Sequence, residues 1–440
     1  MGIFKNNELA GQIKRVWSLS VPAILTQITA IVMQYIDSAM VGKLGAGASA
    51  AIGLVSSSTW LLDGLVSALS VGFSVQIAQY IGAKEPERAR QVLKHGLVTA
   101  ILFSGLLLAV SAAISGRLPV WLGGEEAIRR DASRYFLVFA LSLPFLQLNF
   151  LTAMCLQCSG NMVTPSVLNA LMCGLDVILN AIFIPIYGVL GAAIGTALAT
   201  AIVALVLLWF CCCRSESLRI NRREHCPLDW SILRRALKIG TPVGGEQAAM
   251  CGAMVVSTMI IAPLGTIALA AHSFAITAES LCYMPGYGVG SAATTLVGQS
   301  MGAKTYGLAK RYGNICVGFG AVLMGITGIV MFIGCPLVFR MLTPDLQVQE
   351  LAAQVLRIGL LAEPLYAVSI AASGALRGAE DTLVPSILNL VSIWVVRLGL
   401  ALILVPAWGL HGMWVAMAIE LCVRGLFLLR RQLRSHYYQR

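Results

Sequence analysis

The sequence predicts an all-α polytopic membrane protein with twelve transmembrane helices in two parallel six-helix repeats. Three observations carry this prediction: an apolar composition, twelve apolar segments of spanning length, and a repeat that relates the two halves of the chain. Of the 440 residues, 58% are hydrophobic and only 12% are charged, and the mean hydropathy is +0.82. A soluble domain carries about 25% charged residues, so this composition fits a lipid environment.

The apolar segments are long enough to cross a bilayer, which takes about 20 mostly apolar residues. They cover residues 18–41, 48–81, 93–115, 135–158, 163–187, 190–213, 232–261, 267–301, 315–339, 356–376, 383–405 and 410–429. The first is too long for the apolar core of a signal peptide and contains Asp37, so we expect it to be retained as a helix.

The net charge of +11 follows membrane topology and gives no reason to expect a nucleic-acid partner. With the N-terminus in the cytoplasm, most Lys and Arg residues fall on the cytoplasmic side, as the positive-inside rule requires. We therefore predict a multi-pass plasma-membrane protein with both termini in the cytoplasm; if the cell is Gram-negative, this membrane is the inner membrane. Cys226 should then react with impermeant thiol reagents only from the cytoplasmic side.

An internal repeat organises the chain. The segment Gln79–Arg90 recurs as Gln299–Lys310, at an offset of 220 residues, and the same offset pairs residues throughout both halves, including Pro22 with Pro242, Pro144 with Pro364, and Asn169 with Asn389. Each copy holds six spans, an even number, so both copies have the same orientation in the membrane. Parallel repeats of this kind are a transporter architecture with the substrate site between the halves.

The predicted domains follow from this repeat. Residues 1–213 form an N-lobe with helices 1–6, residues 214–229 form a basic cytoplasmic linker, and residues 230–440 form a C-lobe with helices 7–12. Rocking of the two lobes about a central cavity is the motion that we expect.

Several segments together resemble the MATE family (multidrug and toxic compound extrusion). They are VPAILTQ with Asp37 near the end of the same helix, the two GAK loops, the paired segments LQCSGNMVTPSVLN and LRGAEDTLVPSILN, and SLCYMPGYGVGSAATTLVGQSMGAK. The resemblance covers essentially the whole chain. It implies two six-helix bundles around a V-shaped central cavity, and secondary antiport that exports organic, often cationic compounds in exchange for H⁺ or Na⁺. We expect a monomer in contact with membrane lipids and no cofactor beyond the coupling ion.

A polar group in the first repeat is the predicted ion-coupling site. Asp37 lies in the outer half of the first span, and Asp176 and Asn180 lie four residues apart in the outer half of the fifth. A carboxylate inside a membrane is unfavourable by about 2.5–3.5 kcal/mol and is a functional candidate by default. These three side chains could hold Na⁺ through oxygen ligands or share a proton.

The order of two of these residues differs from the family resemblance. Many MATE-like proteins place Asn first and Asp four residues later, whereas this chain has Asp176 followed by Asn180. The reversal keeps the chemical groups but changes their geometry, so H⁺ and Na⁺ both stay open as coupling ions.

The second repeat contains further acidic candidates, Glu246, Glu279 and Glu363, of which Glu246 and Glu363 are displaced from the family pattern. Glu420 and Arg424 are four residues apart and are expected to pair structurally, and Arg397 is expected to neutralise one of the buried glutamates. Candidates for lining the cavity are Gln34, Tyr283, Met284 and Arg397, since Met and aromatic side chains adapt to varied apolar cations.

Two other functions are alternatives to antiport. A flippase for lipid-linked precursors or an exporter of endogenous metabolites could use the same architecture, but a pyrophosphate cavity would need many basic residues, and only Arg397 lies deep. A membrane enzyme is disfavoured because GxxxxGK[ST] and HExxH motifs are absent and only five His residues occur. The twelve Cys residues show no metal or disulfide pattern.

Overall fold

The structure, a computed structural model, describes residues 2–220 and 229–435, and every regular element in these ranges is helical. Arg222, Arg223 and Cys226 of the predicted linker lie outside the described residues. The α-helices are α1 Gly2–Gly42, α2 Ala46–Gly82, α3 Pro86–Ile114, α4 Leu118–Trp121, α5 Glu126–Cys158, α6 Val163–Tyr187, α7 Val189–Trp209, α8 Trp230–Ile261, α9 Thr266–Gly302, α10 Tyr306–Leu342, α11 Leu346–Leu360, α12 Glu363–Gly378, α13 Leu383–Val391, α14 Leu398–Trp408 and α15 Leu410–Arg434.

The predicted membrane spans are confirmed as helices of spanning length. Within the described residues, eleven helices are long and apolar enough to cross a membrane, and the bent pair α11 and α12 makes twelve. Several helices begin well before the predicted apolar segment: α1 at Gly2 and not at residue 18, and α5 at Glu126 and not at residue 135. Hydropathy detects only the part of a helix that lies in lipid, while the backbone hydrogen bonds continue into water.

The predicted span over residues 356–376 is divided between two helices, α11 and α12. The chain breaks after Leu360, and α12 starts at Glu363 with its axis bent by 54° from α11. Pro364 lies in the first turn of α12, where a backbone N–H has no acceptor within the helix. The N–H that proline lacks therefore costs the helix no hydrogen bond at this position. Its repeat partner Pro144 instead lies inside the uninterrupted helix α5, so proline alone does not determine the break.

The described chain packs as two compact units, and neither unit coincides with one sequence repeat. One unit comprises Met1–Ile28 and Ala248–Arg440, and the other comprises Thr29–Gln247. Both α1 and α8 therefore contribute to both units. The lobe boundaries at residues 213 and 230 follow the sequence repeat and stay a prediction.

Specific contacts hold each exchanged half-helix in place. In the first unit, Trp17 of α1 packs edge-on against Phe319 with ring centroids 5.5 Å apart, and Gly288 lies directly against the backbone at Ile24. In the second unit, a Cβ on Gly72 of α2 would lie 2.4 Å from the carbonyl oxygen of Ala236 in α8. Glycine is thus required at Gly72 and Gly288 for close helix approach.

Residues with positive φ occur at corresponding positions of the two repeats, and their spacing shows that the second repeat contains one additional residue. The offset is 220 for the left-handed pair Gly160 (φ 99°) and Glu380 (φ 66°), but 221 for Gly188 (φ 59°) and Gly409 (φ 57°). Accordingly, residues 163–187 form a span of 25 residues and residues 383–408 one of 26. The longer span contains the π-helical segment Ser392–Arg397. A π-bulge accommodates one additional residue in an α-helix, so the insertion lies at this segment.

Candidate functional site

The three residues predicted as the ion-coupling site lie in contact within the unit Thr29–Gln247. The side-chain amide of Asn180 donates one hydrogen bond to Asp37 Oδ1 at 2.8 Å and one to Asp176 Oδ2 at 3.1 Å. Asp176 and Asn180 are fully buried, and Asp37 is half-buried. An amide therefore bridges two carboxyl groups contributed by α1 and α6.

The local structure explains this arrangement. Asp176 and Asn180 are one turn apart on α6, a spacing that places both side chains on one face. Asn180 donates through its side-chain amide to both carboxyl groups. Its own Oδ1 and Asp176 Oδ1 are buried and accept no hydrogen bond from any described residue. The carboxylates of Asp37 and Asp176 can accept a proton, and their oxygens together with Asn180 Oδ1 can contribute ligands to a hard cation.

A glycine that the sequence analysis missed makes room for this site. A Cβ at Gly195 of α7 would lie 2.1 Å from Asn180 Oδ1, so only glycine lets α7 pass this close to the amide. The signal in the sequence was the small-residue stretch GAAIGTALAT from Gly191 to Thr200. Without the position of Asn180, that stretch indicates only close helix packing.

Two further polar groups belong to the same unit, Asp63 and Tyr135. Asp63 on α2 has a buried Oδ1 that accepts no hydrogen bond from the described residues. Tyr135 on α5 lies within electrostatic range of Asp37, Asp63 and Asp176. The sequence assigned no role to either, because neither has a characteristic spacing from the other polar residues.

The second-repeat acidic candidates do not all fall in one unit. Glu279 on α9 and Glu363 at the start of α12 belong to the unit that contains Ala248–Arg440, whereas Glu246 on α8 belongs to the other. All three are buried. Glu279 Oε1 and both carboxyl oxygens of Glu363 accept no hydrogen bond from the part of the chain that the structure describes.

Arg397 and Arg424 both bind Glu420. Arg397 Nη2 lies 2.6 Å from Glu420 Oε2, and Arg424 Nε lies 3.1 Å from Glu420 Oε1. Ser392, which begins the π-helical segment, also donates a hydrogen bond to Glu420 Oε1. The glutamate neutralised by Arg397 is therefore the one expected to pair with Arg424, and Glu420 serves both arginines.

The remaining lining candidates differ in exposure. Gln34 on α1 is exposed, while Tyr283 and Met284 on α9 are half-buried. Tyr283 packs against Tyr366 and Tyr287, with ring centroids 5.5 and 6.2 Å apart. Their role in a substrate cavity stays a prediction.

The fold and these buried polar groups define a class: a two-repeat, twelve-span helical membrane transporter. The model of the MatE family matches residues 22–182 and 242–403, one segment in each repeat. The chain belongs to this family, MATE, whose members are membrane transporters and not enzymes. The predicted family and fold are thereby confirmed.

Similarity to individual proteins extends over nearly the full chain. A probable multidrug resistance protein NorM of Thermotoga maritima is 29% identical over 94% of this chain and 91% of its own. A probable NorM of Bacillus anthracis is 26% identical over 97% and 96%. Among solved structures, a MOP superfamily transporter from Pyrococcus furiosus has a TM-score of 0.93 at 21% identity, covering 98% of this chain and 97% of its own. A variant of the Vibrio cholerae MATE transporter VcmN has a TM-score of 0.92 at 19% identity, covering 99% and 100%.

Proposed function

We propose that this protein is a secondary active antiporter that exports organic, often cationic and amphipathic compounds in exchange for H⁺ or Na⁺ by alternating access. Membership of the MATE family supports transport, and the names of the NorM relatives support drug efflux. The observation that carries the coupling mechanism is the Asn180 amide that bridges Asp37 and Asp176.

Binding of H⁺ or Na⁺ at this site neutralises negative charge on Asp37 and Asp176, which the uncharged amide of Asn180 cannot neutralise. Two carboxylates close together in a medium of low dielectric repel each other, and the bridging amide carries no charge. A proton or Na⁺ removes this repulsion, so the occupied and empty sites favour different arrangements of α1 and α6. This differential stabilisation is what an ion needs in order to bias a conformational equilibrium.

Helix α1 provides the mechanical connection for such coupling. Asp37 lies in the portion of α1 that packs with the unit Thr29–Gln247, whereas Met1–Ile28 packs with the other unit. A displacement of Asp37 is therefore transmitted along a continuous helix to contacts such as Trp17 with Phe319. Pro22 lies between these contacts and Asp37, at a point where the helix lacks one backbone donor and bends readily.

The substrate class follows from the second-repeat side chains. The cluster of Tyr283, Tyr287 and Tyr366, with the buried carboxyls of Glu279 and Glu363 in the same unit, suits an organic cation that contacts aromatic faces. A flippase for lipid-linked precursors is the second candidate. It is less favoured because Arg397 and Arg424, two basic groups within predicted spans of this repeat, are both bound to Glu420.

The test is transport by purified protein in proteoliposomes, with pH and Na⁺ gradients imposed separately and a fluorescent organic cation as substrate. We expect efflux under one of the two gradients, and loss of gradient-driven efflux in Asp37→Asn while folded protein is retained. Asp131→Asn, at an exposed position on α5, is the matched control and should transport normally. Efflux by Asp37→Asn at the rate of the unaltered protein would remove Asp37 from the mechanism.

The orientation and oligomeric state are also part of this proposal: a monomeric plasma-membrane protein with both termini in the cytoplasm. The reagent-accessibility test at Cys226 addresses orientation, with Cys226→Ser as the control for the eleven other cysteines. Labelling at Cys226 in intact cells by an impermeant reagent would reverse the proposed orientation.

A further inference from the structure

A half-buried arginine that the transport proposal does not use, Arg357, lies in the last turn of α11 beside α10. Its Nε donates a hydrogen bond to the Phe332 carbonyl oxygen at 3.4 Å, and its guanidinium carbon lies 5.3 Å from the centre of the Phe332 ring. Both helices belong to the unit that contains Ala248–Arg440. The guanidinium is thus held against α10 by its Nε edge and by an aromatic face.

No carboxylate of the described residues neutralises Arg357. Within residues 2–220 and 229–435, its one hydrogen bond is that to Phe332, and the ion pairs there do not include it. The acidic residue on the same helix, Glu350, lies two turns earlier, about 10 Å along the axis, which is too far for an ion pair. Because arginine is always protonated in proteins, its Nη1 and Nη2 groups can donate to an acceptor from outside the chain.

The outward face of α11 changes from polar to apolar at Arg357. In chain order this face carries Gln347, Glu350, Gln354, Arg357 and Leu361, at intervals of three or four residues. The residues before Arg357 are polar, whereas Leu361, whose backbone is still helical, is 75% exposed. An exposed leucine of this kind suits contact with lipid tails. The level of Arg357 is therefore the boundary between lipid headgroups and acyl chains, where long basic side chains direct their charge toward the headgroups.

The adjacent face of α10 is apolar. Ile329 and Ile333, on either side of Phe332, are 63% and 74% exposed. Helices α10 and α11 are joined by residues 343–345 only and run in opposite directions. Ile329, before Phe332 on α10, and Leu361, after Arg357 on α11, therefore both lie on the side of Arg357 that faces the membrane interior. A cation stands at the edge of an apolar surface.

We propose that Arg357 binds the phosphate of one anionic phospholipid at this surface. The Nη1 and Nη2 groups donate to phosphate oxygens, a geometry for which the planar guanidinium is suited. An acyl chain lies against Ile329 and Leu361, which a soluble phosphate would leave uncovered. The lipid supplies the negative charge that the chain lacks at this position. With both termini in the cytoplasm, as proposed above, this lipid belongs to the outer leaflet.

The test places an indole beside the proposed acyl chain and measures its quenching by tail-brominated lipids. Leu361→Trp is introduced into the full-length protein in detergent, and the difference from the unaltered protein isolates this indole from the eight native tryptophans. Brominated phosphatidylglycerol and brominated phosphatidylcholine are titrated separately. Arg357→Gln and Arg357→Met, each combined with Leu361→Trp, remove the charge. Arg130→Gln, at an exposed position on α5, is the matched control in the same background.

We expect half-maximal quenching at about five-fold lower phosphatidylglycerol than phosphatidylcholine, the factor that corresponds to one basic side chain near an anionic lipid. Either Arg357 variant should abolish this preference, and Arg130→Gln should keep it. Arg357→Met retains an unbranched aliphatic side chain beside Phe332, so it reports on the charge even where Arg357→Gln fails to fold.

Three results would overturn the proposal. They are equal quenching by the two lipids, a preference that is unchanged in both Arg357 variants or equally lost in Arg130→Gln, and displacement by soluble glycerol phosphate as effective as by phosphatidylglycerol.

Discussion

The two repeats differ in the charges of their buried polar groups. In the first, the uncharged amide of Asn180 lies between two acidic side chains, Asp37 and Asp176, and no described basic side chain is hydrogen-bonded to either. In the second, one carboxylate, Glu420, lies between Arg397 and Arg424. The first group needs an external cation for neutrality, whereas the second has more than enough internal positive charge. Ion exchange is therefore expected in one repeat and structural charge pairing in the other.

The one-residue insertion lies at the point of this divergence. Asp176 corresponds to Val396 if the alignment is made before the added residue, and to Arg397 if it is made after. The π-helical segment Ser392–Arg397 contains the residues that contact Glu420 from this helix. The second repeat thus has both the additional residue and an arginine, Arg397, in the region where the first repeat has Asp176.

The largest difference between the repeats should appear when each loses a carboxylate. Glu420→Gln leaves the buried Arg424 and the half-buried Arg397 without their common partner. Breaking a buried ion pair in this way destabilises by about 3–5 kcal/mol. Asp176→Asn removes a carboxylate that no arginine depends on, so folded protein should be retained while coupling is lost. Thermal unfolding monitored by size-exclusion chromatography distinguishes the two, and equal loss of folded protein would contradict the comparison.

The next effect concerns the order of Asp176 and Asn180. The exchange Asp176→Asn with Asn180→Asp conserves charge but moves a carboxylate by one turn, about 5–6 Å. Ion dependence should therefore change more than stability, and each single replacement by Ala should reduce transport more than the exchange does. Transport is measured against pH and against Na⁺ for all three variants. If all of them match the unaltered protein, the coupling ion binds elsewhere, with Glu246, Glu279 and Glu363 as the next candidates.

A smaller effect is expected from the packing around the first-repeat site. Gly195→Ala places a methyl group where Asn180 Oδ1 now lies, and overpacking of this kind destabilises by about 1–3 kcal/mol. Transport should fall several-fold, because the bridging amide has to move. Gly174→Ala on α6 is the control, since a Cβ there meets no atom within 4 Å. Equal transport by the two alanine variants would show that the amide position is unimportant.

The smallest effect tests the left-handed turn that both repeats share. Glu380 has φ 66° at the position where the first repeat has Gly160, and a non-glycine residue in this conformation is strained by about 1–2 kcal/mol. Glu380→Gly should raise stability by about 0.5–1 kcal/mol after the greater freedom of glycine in the unfolded chain is included. Gly160→Ala should lower it, and neither change should alter the ion dependence of transport. Thermal unfolding of both variants provides the measurement, and a loss of stability in Glu380→Gly would contradict the strain.

Much of this architecture could be predicted from the sequence because lipid imposes simple rules. Apolar length located the spans, and the offset between Gln79–Arg90 and Gln299–Lys310 located the repeats. The contact between Asp37 and Asn180 was anticipated only as similar depth on two helices. Depth follows from residue number within a helix, but proximity depends on which helices are neighbours.

Other features depend on contacts that residue spacing does not encode. Spacing along one helix indicated the pair of Glu420 and Arg424, but not that Arg397 reaches the same carboxylate from another helix. The bend between α11 and α12 could not be predicted, because hydropathy does not report whether an apolar segment is straight or bent. A single added residue in a long apolar helix likewise leaves hydropathy unchanged, so the π-helical segment was invisible to it.

The exchange of half-helices between the repeats has a consequence for the biogenesis of the protein. Gly72 on α2 packs against the backbone of Ala236, a residue that leaves the ribosome only after all of α3 to α7. At about 5–20 residues per second, this delay is roughly ten to thirty seconds. During that interval the small-residue face of α2 stays uncovered in the bilayer, open to lipid or to the insertion machinery. The first repeat thus completes its packing only when the second has begun to be synthesised.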